Sequence, residues 1–249
     1  MNKLRVLDLF SGIGGFSLGL ERTGGFETVA FCEIEPFPRR VLAKHWPKVP
    51  IYNDVRTLTK DILDRDGIAV DVITGGFPCQ DISLSGKLGG MGEGTRSGLW
   101  SEIDRLIGEL RPQFVTIENV SNLLAGPSNK PGAWFSRVLT DLAARGYDAE
   151  WENIPAAAVG APHPRERVWI ISYPSEIHEK RCLEAQKIPR QLRGIFGRDW
   201  ADRENKPPIL RMADGVPDRL DRFGALGNAV VPQIPELIGN AILQSMRAA

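Results

Sequence analysis

Cysteine is scarce. Cys32, Cys79 and Cys182 are the only three in 249 residues, and they form no CxxC pair. That spacing excludes a disulfide framework and a structural zinc site, so free thiols and no metal are expected. Long apolar runs are absent: no stretch approaches the roughly 20 residues that a membrane span needs. The opening MNKLRVLDLF lacks the apolar core and cleavage site of a signal peptide. A soluble, cytoplasmic protein without a membrane partner is the expectation. Charge of one sign is also missing, with 31 Lys and Arg against 31 Asp and Glu. Nucleic-acid binders usually carry a basic surplus, because phosphates are met by Lys and Arg. Here any surplus is local. From 180 to 211 there are nine basic residues against four acidic ones, which suits either a DNA-facing patch or a solvated loop.

What is present is an alternation of short apolar runs with amphipathic stretches. Runs at 4–10, 28–31, 70–74, 114–117 and 167–171 read as strands, and patterns at 15–23, 36–45, 98–110, 131–145 and 232–247 read as helices. Several helices open on Pro or Gly, as first turns permit. This rhythm predicts an α/β fold, mostly parallel, with helices on both faces of one sheet. Two segments break it. Residues 81–98 (DISLSGKLGGMGEGTRSG) are dense in Gly and polar side chains and read as a mobile loop, and 174–217 is polar, basic and rich in Pro.

The first candidate site lies where the 4–10 strand meets SGIGGF. Glycines there allow a tight turn whose backbone N–H groups face a ligand at a helix N-terminus. Ser11, Gly12, Ile13 and Gly15 would form this cradle, although a purely structural strand-to-helix turn has the same look. Glu33 ends the next strand, near the spacing of an acidic residue that accepts from ribose hydroxyls. Asp54, followed by Val55, is placed to accept from an adenine amino group; alone, either carboxylate would more often be a surface cap.

The second site centres on DVITGGFPCQDIS. A lone cysteine is more often a buried small hydrophobe than a nucleophile. Cys79, however, follows the carboxyl end of an expected parallel strand, where open α/β sheets bind ligands, and precedes a Gly-rich loop able to close. The 114–117 strand ends in Glu118-Asn119-Val120 and brings a carboxylate to the same edge. Arg165 and Arg167, two apart on one strand, share a face and suit either a catalytic clamp or a sheet-edge ion pair.

DLFSGIGGF, GGFPCQDIS, IENV, RER within HPRERVWII, and GNAVVPQ occur in this order. The chain thereby resembles the DNA cytosine-5 methyltransferase family, in its bacterial and phage form with a short target-recognition region. The resemblance implies a Rossmann-like S-adenosylmethionine-dependent methyltransferase fold: a mostly parallel, doubly wound sheet with one antiparallel strand, plus a small irregular target-recognition insert. It implies a catalytic domain at 1–173, a recognition region at 174–217 and a return of the catalytic domain at 218–249, whose helix would pack beside the first strand. It implies S-adenosyl-L-methionine as cofactor, S-adenosyl-L-homocysteine as product, double-stranded DNA as substrate, and a restriction endonuclease as a conceivable partner in a bacterial or phage-infected cell.

By the same resemblance Phe10 contacts adenine, Glu33 the ribose and Asp54 the adenine amino group. Pro78 and Leu99 wall the substrate side, and Asn228 with Val230 closes the cofactor site. Ile34 stands where relatives often have an aromatic residue and covers a purine face as an aliphatic. Carbon 5 of cytosine is a weak nucleophile, so a Cys79 thiolate would first add to carbon 6 while Glu118 donates near ring nitrogen 3. Arg165 and Arg167 would steady the base oxygen, the Glu118 carboxylate or a phosphate. The base must leave the duplex to be reached. Residues 81–98 would be the lid, with Gln80, Ser83, Ser85, Arg96 and Asn119 as substrate or DNA contacts, and Arg190, Arg193, Arg198 and Trp200 in the recognition element.

The chain departs from the family in two places. His163 replaces a frequent Gln, and only about forty residues stand where many relatives have a larger recognition domain. Three other readings compete: a non-catalytic DNA-binding relative, an RNA cytosine-5 methyltransferase, and an NAD-dependent dehydrogenase. The last gives PCQ and ENV no role.

Overall fold

A computed structural model describes residues 2–78, 99–126, 131–161, 163, 165–176 and 228–247. Seven strands form one sheet: β1 (Leu4–Leu9), β2 (Phe26–Cys32), β3 (Ile51–Tyr52), β4 (Val72–Gly75), β5 (Phe114–Val120), β6 (Tyr147–Pro155) and β7 (Glu166–Pro174). Their order is β3-β2-β1-β4-β5-β7-β6. β7 runs antiparallel to both its neighbours, β5 and β6, while the other pairings are parallel. This is the mostly parallel sheet with a single reversed strand expected above. The helices are α1 (Gly15–Arg22), α2 (Pro36–His45), α3 (Lys60–Arg65), α4 (Trp100–Leu110), α5 (Asn122–Ala125), α6 (Ala133–Ala144) and α7 (Gln233–Arg247).

The central strands are buried on both sides, so their side chains divide by parity between two cores. Leu7 and Leu9 of β1, Val115 and Ile117 of β5, and Val168 and Ile170 of β7 meet α4 and α6 through Trp100, Ile103, Leu106 and Val138. Leu4 and Val6, Phe114, and Trp169 with Ile171 meet α1 and α7 through Phe16, Leu20, Ile234, Ile238 and Ile242. Glu118 shares the parity of Phe114 and therefore belongs to the α1/α7 side.

The C-terminal helix packs chiefly on α1 and shares a core with Leu4 and Val6 of β1. Glycines make that approach close: a Cβ on Gly19 would stand 2.1 Å from the Pro232 carbonyl oxygen, and one on Gly15 would stand 2.4 Å from that of Val230. β6 was not anticipated at all. The 98–110 helix begins at Trp100, and Arg165 precedes β7 by one residue instead of lying on it. Residues 177–227, which hold most of the expected recognition region, lie outside the described residues.

Candidate active site

β1 delivers the chain into a left-handed turn. Phe10 has φ 52°, unusual for a bulky residue, and Gly12 and Gly14 follow at 52° and 85°. A residue held this way costs on the order of 1–3 kcal/mol and marks a place where surrounding structure imposes the geometry. At Gly14 a side chain is also sterically barred, since a Cβ would stand 2.7 Å from the Trp46 ring. At Gly12 a Cβ would meet nothing within 4 Å, so the backbone here borders open space.

Glu33 closes the turn from the end of β2. Its Oε2 accepts from the Gly12 amide at 2.7 Å and its Oε1 from the Glu35 amide at 2.8 Å. The side chain is buried, and burial pushes its carboxyl above the ordinary range while the Glu35 and Gly12 amides pull it back. Ile34 beside it is 56% exposed, a large apolar surface with no cover. Asp54 is held by Arg56, whose Nη2 donates at 2.6 Å and whose amide donates at 3.0 Å. That bond keeps its carboxyl below the usual range. Val55 is buried beneath it, and Ile13 is half-buried. The Ser11 hydroxyl donates into the fold, to the Asp8 carbonyl at 2.5 Å.

Asp8 went unremarked in the sequence reading. It is fully buried, with Oδ2 accepting from the Ser17 hydroxyl at 2.8 Å and Oδ1 from the Thr74 hydroxyl at 2.9 Å. One carboxyl thus ties β1 to α1 and β4 just below the turn. Burial pushes it up to about 7 against the pull of the two hydroxyls.

At the second site Glu118 lies two residues before the end of β5, with 9% exposure. Its Oε1 meets Arg167 Nε at 3.0 Å. Its Oε2 lies toward Gly76, where a Cβ would stand 3.0 Å away. The carboxyl therefore has one oxygen bound to a cation and the other turned toward the segment that runs through Phe77 and Pro78 to Cys79. Burial raises its proton affinity, and Arg167 first and Arg165 second oppose that rise.

Asn119 fixes the same segment from beneath. Its Nδ2 donates to the Phe77 carbonyl at 3.1 Å, and its Oδ1 accepts from the Val120 amide at 2.9 Å. It was expected to touch substrate, yet it is 2% exposed and its amide is spent on the loop. Phe77 is anchored by its ring as well, tilted against Trp100 at 5.8 Å. Pro78 and Leu99, the expected wall, are both half-buried at the two ends of the undescribed 79–98 stretch.

Arg165 Nη1 donates to the Ala229 carbonyl at 2.8 Å. It therefore ties the strand to the segment entering α7, while Arg167 makes an ion pair with Glu118. Glu118, both arginines, Trp169 and residues 229–231 enclose one small cavity of about 10 Å³. Val230 is half-buried against α1 and Asn228 is exposed. His163 is exposed.

The described residues thus bring together Phe10, Gly12, Glu33 and Ile34 at one edge position, and Glu118, Arg165, Arg167 and Val230 at another. Cys79, Gln80, Ser83, Ser85, Arg96, Arg190, Arg193, Arg198 and Trp200 lie outside them. Asp8, Gly76 and Trp169 were missed. An acidic residue inside the apolar run LRVLDLF is the signal that would have found Asp8, because a buried carboxyl needs built partners. Among the described residues no group of three His, Cys, Asp or Glu is placed to hold a metal ion, and no helix is long and apolar enough to cross a membrane.

Comparison with known proteins gives a consistent picture. Residues 4–209 match the family of C-5 cytosine-specific DNA methylases. Among curated proteins, the type II methyltransferase M.Sau3AI of Staphylococcus aureus is 34% identical over 238 residues, covering 90% of this chain and 58% of its own length. The type II methyltransferase M2.BsuMI of Bacillus subtilis is 35% identical, covering 83% of this chain and 56% of its own length. The chain therefore spans little more than half the length of these relatives. Among solved structures, a prophage-encoded DNA modification methyltransferase from E. coli superposes with a TM-score of 0.58 at 28% identity, over 70% of this chain and 48% of that one. DNMT2 of Spodoptera frugiperda shares the fold, with a TM-score of 0.55 at 20% identity over 69% of this chain and 50% of that one.

Proposed function

From the premise that the chain belongs to the C-5 cytosine-specific DNA methylase family, we propose that it transfers a methyl group from S-adenosyl-L-methionine to carbon 5 of a cytosine in duplex DNA. The observation that carries this reading is the Glu118 carboxyl: buried, bound to Arg167 through one oxygen, and turned through the other toward the segment leading to Cys79. A ring seated between Cys79 and Glu118 would meet a nucleophile at carbon 6 and a proton donor at nitrogen 3.

The residues around the first turn fit the cofactor. The open space at Gly12 admits a ligand against backbone, the Glu33 carboxylate keeps lone pairs for two hydroxyls, and exposed Ile34 offers an apolar face to a purine. Asp54 and Val55 complete the adenine side, and Phe10, Asn228 and Val230 border it. When bound, this group supplies an electrophilic methyl on a sulfonium.

The chain's own residues do the rest. The Cys79 thiol gives its proton to solvent and the thiolate adds to carbon 6, which raises electron density at carbon 5; once carbon 5 is methylated, loss of its proton to a base breaks the carbon 6–sulfur bond, restores the ring and frees Cys79. A neutral Glu118 donates from Oε2 to nitrogen 3 as negative charge develops on the ring, and Arg167 keeps the carboxyl in place. Burial raises the proton affinity of Glu118, which favours the protonated form that this donation requires. Arg165, by bonding the Ala229 carbonyl, keeps residues 229–231 against α1 and the cofactor turn. Asn119 holds the Phe77 carbonyl and so sets where Cys79 begins. The target base must leave the helix to reach these groups, because both edges of the reaction are inaccessible in a stacked pair. Residues 174–217 with their basic side chains would hold the DNA. Relatives named as type II enzymes favour a partner restriction endonuclease in the same cell.

The test is transfer of labelled methyl from S-adenosylmethionine to diverse duplex DNA by the wild type and by Cys79→Ala, with base-resolution mapping. Cys79-dependent 5-methylcytosine is the expected product. Folded, cofactor-binding protein that labels no DNA would overturn the reading.

A further inference from the structure

Trp169 is the largest side chain around Glu118, and nothing above gives it a role. The register of β5 and β7 places the two residues directly opposite each other, on the same face of the sheet. Opposed residues of an antiparallel pair have Cβ atoms about 5 Å apart, so their side chains touch the same space. Both line the small cavity closed by Arg165, Arg167 and residues 229–231. The indole is 2% exposed, and its far edge is wedged by Phe16 of α1 in an edge-to-face contact at 5.4 Å. Its Nε1–H is buried without a hydrogen-bond partner among the described residues. The ring is therefore held by its shape and its contacts, not by a bond from its polar atom.

We propose that Trp169 is a positioning residue for Glu118, the cross-strand wall that keeps the carboxyl against Arg167 and out of water. This rests on the reading of Glu118 as the carboxyl that meets the cytosine ring. Arg167 supplies the attraction and Trp169 the exclusion. Without the wall, water would reach the carboxyl, solvate its anion and compete with the guanidinium. Only Arg165 and Arg167 act electrostatically on Glu118 from β7 and the residue before it. The 229–231 segment contributes Ala, Val and Val, and the near side of the loop contributes Gly76, none of which titrates.

The experiment reads the Glu118 proton directly. The carbonyl stretch of the protonated side chain is followed by difference infrared spectroscopy across pH, assigned by its loss in Glu118→Gln, in the wild type, Trp169→Phe, Trp169→Leu and Trp169→Ala. Trp169→Phe keeps an aromatic wall while removing the unpaired donor and part of the indole's bulk, so its midpoint should stay near the wild type even where its melting temperature falls. Trp169→Leu and then Trp169→Ala should lower the midpoint progressively, by about one pH unit or more in Trp169→Ala. The high-pH limb of kcat should move down with it. Where Trp169→Ala does not fold, the Trp169→Leu shift decides. A merely structural tryptophan would lower the melting temperature and leave the midpoint and the limb at wild-type values, which overturns the proposal. Failure of the wild type to methylate DNA would instead overturn the reaction assigned above, and the infrared titration would still report on the wall.

Discussion

Arg167 Nε and Glu118 Oε1 lie 3.0 Å apart across a diagonal of the β5–β7 pairing, and the carboxyl is the more buried partner. Arg167 lowers the proton affinity that burial raises. Replacing it by Ala should leave Glu118 protonated to higher pH and without its anchor. A carboxyl whose folded proton affinity exceeds its unfolded one adds stability below the unfolded value and loses it as pH rises through the folded one. Arg167→Ala should therefore melt near the wild type in mild acid and fall increasingly below it as pH rises. Methyl transfer should drop by about 10²-fold or more, as for loss of a placed proton donor. Thermal melts and initial rates across pH check both; a stability loss independent of pH would remove the ion pair from the account.

Gly76→Ala probes the other oxygen. The added methyl would sit 3.0 Å from Glu118 Oε2, so the carboxyl must move by a few tenths of an ångström. Roughly tenfold slower turnover with unchanged S-adenosylmethionine affinity is expected, because misplacement of this size acts on the reacting geometry and not on the cofactor turn. Single-turnover rates beside equilibrium binding separate the two.

Asn119→Ala should cost about 1 kcal/mol of stability by leaving the Phe77 carbonyl without its donor. Its larger effect should be on kcat, since the freed loop carries Cys79. Unchanged kcat would mean that the 75–78 segment holds its shape without the clamp.

Asp8→Asn makes a prediction about pH alone. The carboxyl sits at about 7 when folded, against an ordinary 3.8, so the fold loses stability as pH climbs between those values. At one pH unit per 1.36 kcal/mol, the loss is at most roughly 4 kcal/mol. An amide can keep both hydroxyl partners by turning its NH2 to one of them. The variant's stability should be flat over this range where the wild type declines, as denaturant unfolding at pH 4, 5.5 and 7 will show.

Cys32 offers a control for the nucleophile. Its thiol is buried and pushed up to about 12 by burial and by the neighbouring carboxylates Glu33 and Asp54. It should resist alkylation in the native protein, and Cys32→Ala should keep activity that Cys79→Ala loses. Rapid modification of Cys32 in folded protein would contradict its burial.

The parts legible in the sequence are those where local pattern and tertiary role coincide. β1 reads as a strand because four of its six residues are apolar, and Glu118 was found because it follows the apolar run at 114–117. β6 was invisible for the opposite reason. It is the edge strand, and although YDAEWE alternates apolar with acidic residues, its three carboxylates are of types depleted in strands, and it is pairing with β7 that fixes it as one. Asn119 was read as a contact because polar residues at strand ends usually face ligands; whether an amide turns out or back onto a loop carbonyl is decided by the fold. Trp169 looked like core because periodicity reports which face is buried and not what stands opposite. Arg165 and Arg167 were rightly paired with Glu118, yet the one-residue offset of β7 sends the first guanidinium to the Ala229 carbonyl.

The fit of α7 over α1 has a cost in time. Phe16 and Leu20 complete their burial against Ile234, Ile238 and Ile242, more than 200 residues further along the chain. At roughly 5–20 residues per second, the ribosome needs on the order of ten to forty seconds between making the two halves of this contact. Throughout that interval the nascent first helix shows its apolar side to water or to a chaperone. The turn at residues 10–14 runs into Gly15, which abuts Val230, so its surroundings stay incomplete until residues 229–247 have been made.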